Sequence, residues 1–246
     1  MCSISYHTHS APVAAGLIPS VNSRGESLVS GEVVNILKSG SREVGVSLNQ
    51  HMLKMLLVYF NELKEWNQKF NLTSLRDDRE IILDHFVDSL SVVPHLPHSG
   101  KLIDIGSGAG FPGLPIKIAK PELAVTLIEA KRKKINFLRQ VILLLNLLDI
   151  TVVHGRIEKL TTENECGLFD ILIARAFATL EPLLKLAAPL LKQGGQLIAM
   201  KSKEGEKELV RARSLLQSLS MEVVKKVELQ LPVTHKKRAL FFIMKM

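Results

Sequence analysis

The residues best placed to do chemistry lie in one short run, Leu102-Ile-Asp-Ile-Gly-Ser-Gly-Ala-Gly-Phe-Pro-Gly113. It reads as a strand entering a glycine-dense turn and then a helix. Gly106, Gly108 and Gly110 remove side chains where backbone must approach a ligand closely or take a positive φ. An ordinary strand-to-helix connection rarely needs so many, so Gly106 and Gly108 are read as cofactor-binding positions. In an open parallel sheet such a turn sits at the carboxyl edge, where cofactors bind.

Two ligand classes compete for this turn. Gly108-Ala-Gly110-Phe-Pro-Gly113 fits the dinucleotide pattern G-x-G-x-x-G, a weak signal alone. Asp104, two residues before the first glycine, favours a cationic ligand such as the ammonium of a methionine moiety and would repel a pyrophosphate. Pro112 and Pro115 remove N–H donors that a pyrophosphate would use in the first helical turn. S-adenosylmethionine carries no phosphate and does not need them. An NAD(P)-dependent oxidoreductase remains the rival.

Further candidates lie at the same edge. Glu129 closes the next strand, Val-Thr-Leu-Ile-Glu, and its two oxygens can accept both hydroxyls of a ribose. Ile157 and Glu158 follow the third strand, where an apolar side chain can cover an adenine ring and a neighbour can bond its edge. Arg175, in Ala-Arg-Ala-Phe-Ala after the fourth strand, can contact cofactor or RNA phosphate, or pair with a carboxylate such as Asp104. Two basic runs stand out, Lys131-Arg-Lys-Lys134 and Lys236-Lys-Arg238. Lysines at a helix N-terminus oppose its macrodipole, so local stability does not explain the first run, whereas phosphate contact does. His85 shows no metal spacing and reads as a half-buried residue with its bonds satisfied.

The elements that must position these residues follow from hydrophobic rhythm. Strands are expected at Leu102–Ile105, Val125–Ile128, Thr151–Val153, Ile171–Ala174, Gln196–Met200, Glu222–Leu229 and Ala239–Met244. Helices fall between them at Gly113–Ala119, Arg132–Asn146, Leu180–Leu191 and Glu204–Leu219, which is the pattern of βαβ units. No helical pattern separates the last two strands, so an antiparallel final hairpin is expected. Upstream, Ser47 and Gln50 suggest a capping box opening a helix with Leu53, Leu56, Leu57, Phe60 and Leu63 on one face. Glu80 to Val93 reads as a second helix closed by Pro94 and Pro97. The expected organisation is an α/β chain in three parts: a disordered extension over 1–46, polar and aperiodic above all to about residue 30; a helical cap over 47–98; and a Rossmann-like domain over 99–246.

Composition narrows the classes. With 246 residues, 46% of them hydrophobic, the chain can bury one large α/β domain and a modest extra element. The longest apolar run, Val141 to Leu148, is broken by Asn146, so no membrane span is expected. Ala11 to Ile18 contains Pro12 and follows no basic cluster, which argues against a secretory signal. Cys2 and Cys166 alone offer no disulfide framework and no cysteine zinc site, and suit a cytosolic setting. The net charge of +8 makes nucleic acid the first partner to consider. An RNA-binding protein without catalysis is a second rival, against which the glycine turn argues; a small-molecule methyl acceptor would leave the basic runs unexplained.

Together these residues resemble the bacterial glucose-inhibited division protein B family, the ribosomal RNA small-subunit methyltransferases G. The likeness rests on Asn71-Leu-Thr73, His85 with Asp88-Ser89, Asp104 to Gly113, Lys133 with Phe137-Leu138-Arg139, Arg156 with Glu158, Arg175-Ala-Phe177 and Lys201, and spans roughly Ser47 to Met246. The resemblance implies a seven-stranded, class I methyltransferase fold with an N-terminal helical cap, and methylation of guanine N7 in 16S ribosomal RNA. It implies that Gly106, Phe111, Ile157, Glu158 and Arg175 bind S-adenosyl-L-methionine. With the basic runs it suggests RNA contact by Lys131, Lys133, Lys201, Lys236 and Arg238, no general base, no metal, and a monomer.

Overall fold

The computed structural model describes residues 30–157, 167–202 and 204–246. Its described residues form a seven-stranded sheet in the order β3-β2-β1-β4-β5-β7-β6. The strands are β1 (Gly100–Ile105), β2 (Leu123–Glu129), β3 (Ile150–His154), β4 (Phe169–Arg175), β5 (Leu191–Lys201), β6 (Met221–Gln230) and β7 (Lys237–Lys245). β1 to β5 pair in parallel; β7 inserts antiparallel between β5 and β6, as the missing helix before it implied.

Alternation along the strands makes two cores. Ile103 and Ile105 join a cluster with Leu172, Leu183 and Leu197 on one face. Leu102, Val125 and Ile173 join the cluster of the other face, which continues into the N-terminal helices. Strand order reverses between β1 and β4, so a crevice opens at their carboxyl ends, where open α/β sheets take ligands.

Four helical pieces pack into the core of that second face: α1 (Gly31–Glu43), α2 (Gln50–Phe70), α3 (Asp78–Ile81) and α4 (Asp88–Leu90), the last two joined by a π turn at Ile82–Val87. α1 corrects the expectation of disorder up to residue 46; residues 1–29 lie outside the described residues. Its inward face is Val33, Leu37, Gly40 and Ser41. Two of these four are too small to register as an apolar period, and Gly40 lets the helix lie against Val87. α2 is capped by Asn49, whose side chain accepts from the Met52 amide, rather than by Ser47. Asp77 caps α3 ahead of the expected Glu80 start. Downstream, α5 (Gly113–Ala119), α6 (Arg132–Leu144) and α7 (Leu180–Leu190) fall where expected, while the 204–219 segment divides at Ala212 into α8 (Gly205–Arg211) and α9 (Arg213–Ser218).

The cap is bolted to the glycine turn by a side chain that sequence reading did not single out. Tyr59 on α2 is fully buried and its hydroxyl donates to the Ala109 carbonyl. Its ring stacks on Phe111 of the turn with centroids 5.1 Å apart and meets Phe86 at 5.0 Å. Tyr59→Phe keeps the packing but leaves a buried carbonyl unpaired, so denaturant unfolding should show a loss of about 1–3 kcal/mol. An unchanged midpoint would mean that the cap does not depend on this bond.

Candidate functional site

The turn after β1 is shaped by backbone that only glycine takes easily. Gly106 has φ of 69°, and a Cβ there would stand 2.5 Å from Cδ2 of Phe177. Gly108 has φ of 61° but room for a Cβ, which would meet Lys134 Nζ at 3.6 Å and the Gly106 carbonyl oxygen at 3.8 Å. Gly113 allows α5 to start directly against β1 and β2, since a Cβ would collide with Leu127 at 2.3 Å.

Asp104 pins this arrangement. Its carboxylate is fully buried, Oδ2 accepts from the Gly113 amide at 2.9 Å, and Oδ1 has no partner. Burial pushes the carboxyl up to about 7, against the opposing pull of the Gly113 amide. The expected open face toward a ligand ammonium is thus sealed. The carboxylate therefore lies beneath the turn, where its field in a low-dielectric setting favours positive charge.

Glu129, only 8% exposed, sits at the end of β2 beside the turn. Oε2 accepts from the Gly108 amide at 3.0 Å and Oε1 from the Lys131 amide at 2.8 Å. Each oxygen keeps a second lone pair, so a ribose can still bind. Next to it lies a cavity of about 250 Å³ lined by Ile105, Gly106, Ile128, Glu129, Gly155 and Ile157, among others. Ile157 contributes an apolar side chain to its wall. Glu158 lies outside the described residues.

Arg175 ends β4 but turns to the cap rather than to Asp104. Its Nη1 donates to the Asp84 carbonyl at 2.6 Å and to Asp88 Oδ2 at 3.1 Å, and its guanidinium lies 5.4 Å from the Phe111 ring centre. Nη2 is 3.1 Å from His85 Nδ1. Because arginine only donates, Nδ1 accepts, and the ring proton belongs on Nε2, which is 2.8 Å from Thr73 Oγ1. Burial foremost, with the Arg175 charge, holds His85 down at about 3, so the imidazole is neutral at ordinary pH. The Phe111 ring lies in this stack, 4.7 Å from the His85 ring, so any cofactor contact from Phe111 comes from its backbone.

The basic residues divide. Lys131 is exposed, and its side chain has no ion-pair partner among the described residues. The Lys133 ammonium donates to the Phe70 carbonyl. Lys201 differs from the expectation of RNA contact: only 10% of its side chain is exposed, and its ammonium is held by Glu208 and the Ala178 carbonyl, bracing the segment after β4. Lys236 and Arg238 are likewise already paired, Lys236 Nζ with Asp84 at 2.5 Å and Arg238 Nε with Asp88 at 3.0 Å. They fasten the final hairpin to the cap. Sequence reading missed these carboxylates as partners, although Asp84 and Asp88, four apart, share one helical face.

Comparison with known proteins agrees with the geometry. A family profile described as "rRNA small subunit methyltransferase G" matches residues 52–239. The Ribosomal RNA small subunit methyltransferase G of Geobacter sp. (strain M21) is 40% identical over 208 residues, 85% of this chain and 95% of that one. Its namesake from Caldanaerobacter subterraneus subsp. tengcongensis is 41% identical over 202 residues, 81% and 84% of the two chains. The fold is similar to that of a SAM-dependent methyltransferase from Aquifex aeolicus, with TM-score 0.54, 16% identity, and coverage of 72% of this chain and 97% of that one. It is also similar to M. jannaschii TYW2, solved in complex with AdoMet, with TM-score 0.53, 11% identity, and coverage of 65% and 75%.

Two outcomes follow for the turn. Gly108→Ala should cost only about 1–2 kcal/mol of stability, the strain of a left-handed alanine, while lowering S-adenosylmethionine affinity more than tenfold in calorimetry; unchanged affinity would move the ligand elsewhere. For Asp104, the folded state retains a proton that the unfolded chain loses near pH 4, so this group lowers stability as pH rises from about 4 to about 7 and adds nothing further above. Asp104→Asn removes that dependence, and its stability relative to the parent should grow by on the order of 3 kcal/mol between pH 4.5 and 8. Denaturation curves that stay parallel across this range would show that the carboxylate is ionised throughout.

Proposed function

The chain belongs to the rRNA small subunit methyltransferase G family, and on that premise we propose that it transfers the methyl group of S-adenosylmethionine to N7 of a guanine in 16S ribosomal RNA. The observation that carries this reading is the glycine turn at the switch point, with Asp104 beneath it and Glu129 beside it. Family membership removes the oxidoreductase rival and the binding-only rival.

Bound S-adenosylmethionine supplies a sulfonium methyl, a strong electrophile. The chain's own task is to hold and align it. Gly106 and Gly108 bring backbone close to the methionine end, Asp104 favours its positive charge, Glu129 takes the ribose and Ile157 covers the adenine. Arg175 stands at the end of β4, fixed by Asp88 and His85, where it can receive a carboxylate. Tyr59, Phe111 and the neutral His85 stack behind the glycine turn on its cap side and support it.

Guanine N7 carries a free lone pair at neutral pH, so no proton has to be removed. His85 fits that requirement: both ring nitrogens are engaged and its low basicity disqualifies it as a proton acceptor. Alignment can supply roughly 7–11 kcal/mol of barrier reduction in favourable cases. No helix among the described residues is long and apolar enough to cross a membrane. The reading includes a cytosolic monomer that needs no metal.

Incubation with S-adenosylmethionine and small subunits from cells lacking the orthologous methyl group, followed by nucleoside mass spectrometry, should yield one 7-methylguanosine per 16S chain. Single-turnover rates with both substrates saturating should stay flat from about pH 6.5 to 9. A slope of one log unit per pH unit that disappears in His85→Gln would establish a general base and overturn the mechanism.

A further inference from the structure

α2 ends at the protein surface on an aromatic side chain that the cofactor site does not use. Phe70 is 42% exposed, yet its ring is backed by Trp66 with centroids 5.1 Å apart. Trp66 packs on Phe137 at 5.6 Å, Phe137 on Tyr59 at 6.1 Å, and Tyr59 on Phe111 of the glycine turn at 5.1 Å. A continuous train of rings therefore runs from the cofactor turn to the surface and terminates in Phe70.

The chain around Phe70 is tied down. Asn71, in left-handed conformation, ends the helix by donating its amide to the Asn67 carbonyl. The Asn67 side chain accepts from the Thr73 amide and donates to the Leu75 carbonyl. Arg76 reaches back to the Asn67 carbonyl and the Asn71 side chain. The Asn71-Leu-Thr73 motif is thus accounted for as the clamp that fixes this corner.

Trp66 Nε1 donates to Glu62, and beside that carboxylate the corner carries basic side chains. The Lys133 bond to the Phe70 carbonyl brings the first turn of α6 alongside it. Lys69, Lys131 and Arg132 are exposed, and none of their side chains has an ion-pair partner among the described residues. Single exposed phenylalanines are common and need no explanation. A ring held rigid from behind, flanked by free cations and joined to the cofactor turn is the combination used to bind single-stranded nucleic acid, with bases stacked on the ring and phosphates on the cations.

We propose that Phe70, with Lys69, Lys131 and Arg132 around it, is a stacking platform for one base of the single-stranded RNA that flanks the methylated nucleotide. The proposal rests on the rRNA methyltransferase reading and assigns part of its substrate contact to this corner. Base-on-ring stacking is sequence-tolerant, so the platform holds the strand without selecting the target base, which falls to the crevice.

The test compares the parent protein with Phe70→Leu and Phe70→Trp on small subunits lacking the methyl group. Phe70→Leu keeps apolar bulk but removes the ring face; it should raise the subunit concentration for half-maximal rate roughly tenfold or more, leaving kcat and S-adenosylmethionine affinity within about twofold. Phe70→Trp should match the parent or bind tighter. Replacing Lys69, Lys131 and Arg132 together by alanine should flatten the log–log salt dependence of subunit binding by about two units. A Phe70→Leu protein that saturates at the parental subunit concentration, or a Phe70→Trp protein as impaired as Phe70→Leu, overturns the platform while the methyltransferase reading stands. Absence of methyl transfer by the parent protein overturns both.

Discussion

A carboxylate sealed from water is the constraint on which the site depends. Asp104 on β1 grips the first amide of α5, and that bond sets where the glycine turn crosses the end of the sheet. Glu129 holds the middle of the turn through the Gly108 amide, and Tyr59 holds its far side through the Ala109 carbonyl. Three side chains from β1, β2 and the cap thus fix one short loop before any ligand arrives. Burying a carboxyl is costly, and the structure offsets only part of that cost, since one oxygen remains unpaired. A positive ligand charge beside the turn would relieve the rest, so this buried carboxyl fits a cationic cofactor.

Around this loop a second network ties the cap, the sheet and the final hairpin together. Asp88 is shared between Arg175 and Arg238, and Asp84 between Lys236 and Arg238. Buried ion pairs add little net stability over apolar packing, whereas losing one partner strands a charge. Their value here is geometric. They hold Arg175 at the end of β4 and bring the cations of the hairpin to the same place, so that the cofactor edge and the basic surface form a single rigid corner.

The parallel half of the fold was legible because its inner strands carry short, largely apolar runs, and the half-exposed edge strand β3 still shows Val152 and Val153. β5 is the exception in length: it begins at Leu191, directly after α7, and Gly194 and Gly195 conceal its first residues. α1 was not legible, because half of its inward face is Gly40 and Ser41. At the site, the glycines and carboxylates stood out by spacing, and their neighbours Asp104 and Gly113 do touch. Lys236 and Arg238 stood out only as charge. Their partners Asp84 and Asp88 lie about 150 residues away in sequence, and no local pattern reports such a pairing. Tyr59 and Phe70 fell outside the apolar period read for this helix, since what distinguishes them is which rings they meet.

The claim that this turn holds a cationic, phosphate-free cofactor is tested most directly by calorimetric titration of the parent protein and of Asp104→Asn at pH 8. The account predicts one S-adenosylmethionine per parent chain, affinity at least tenfold weaker in Asp104→Asn, and no heat from NADH. Equal affinity in the two proteins, or saturable NADH binding without S-adenosylmethionine heat, would contradict it.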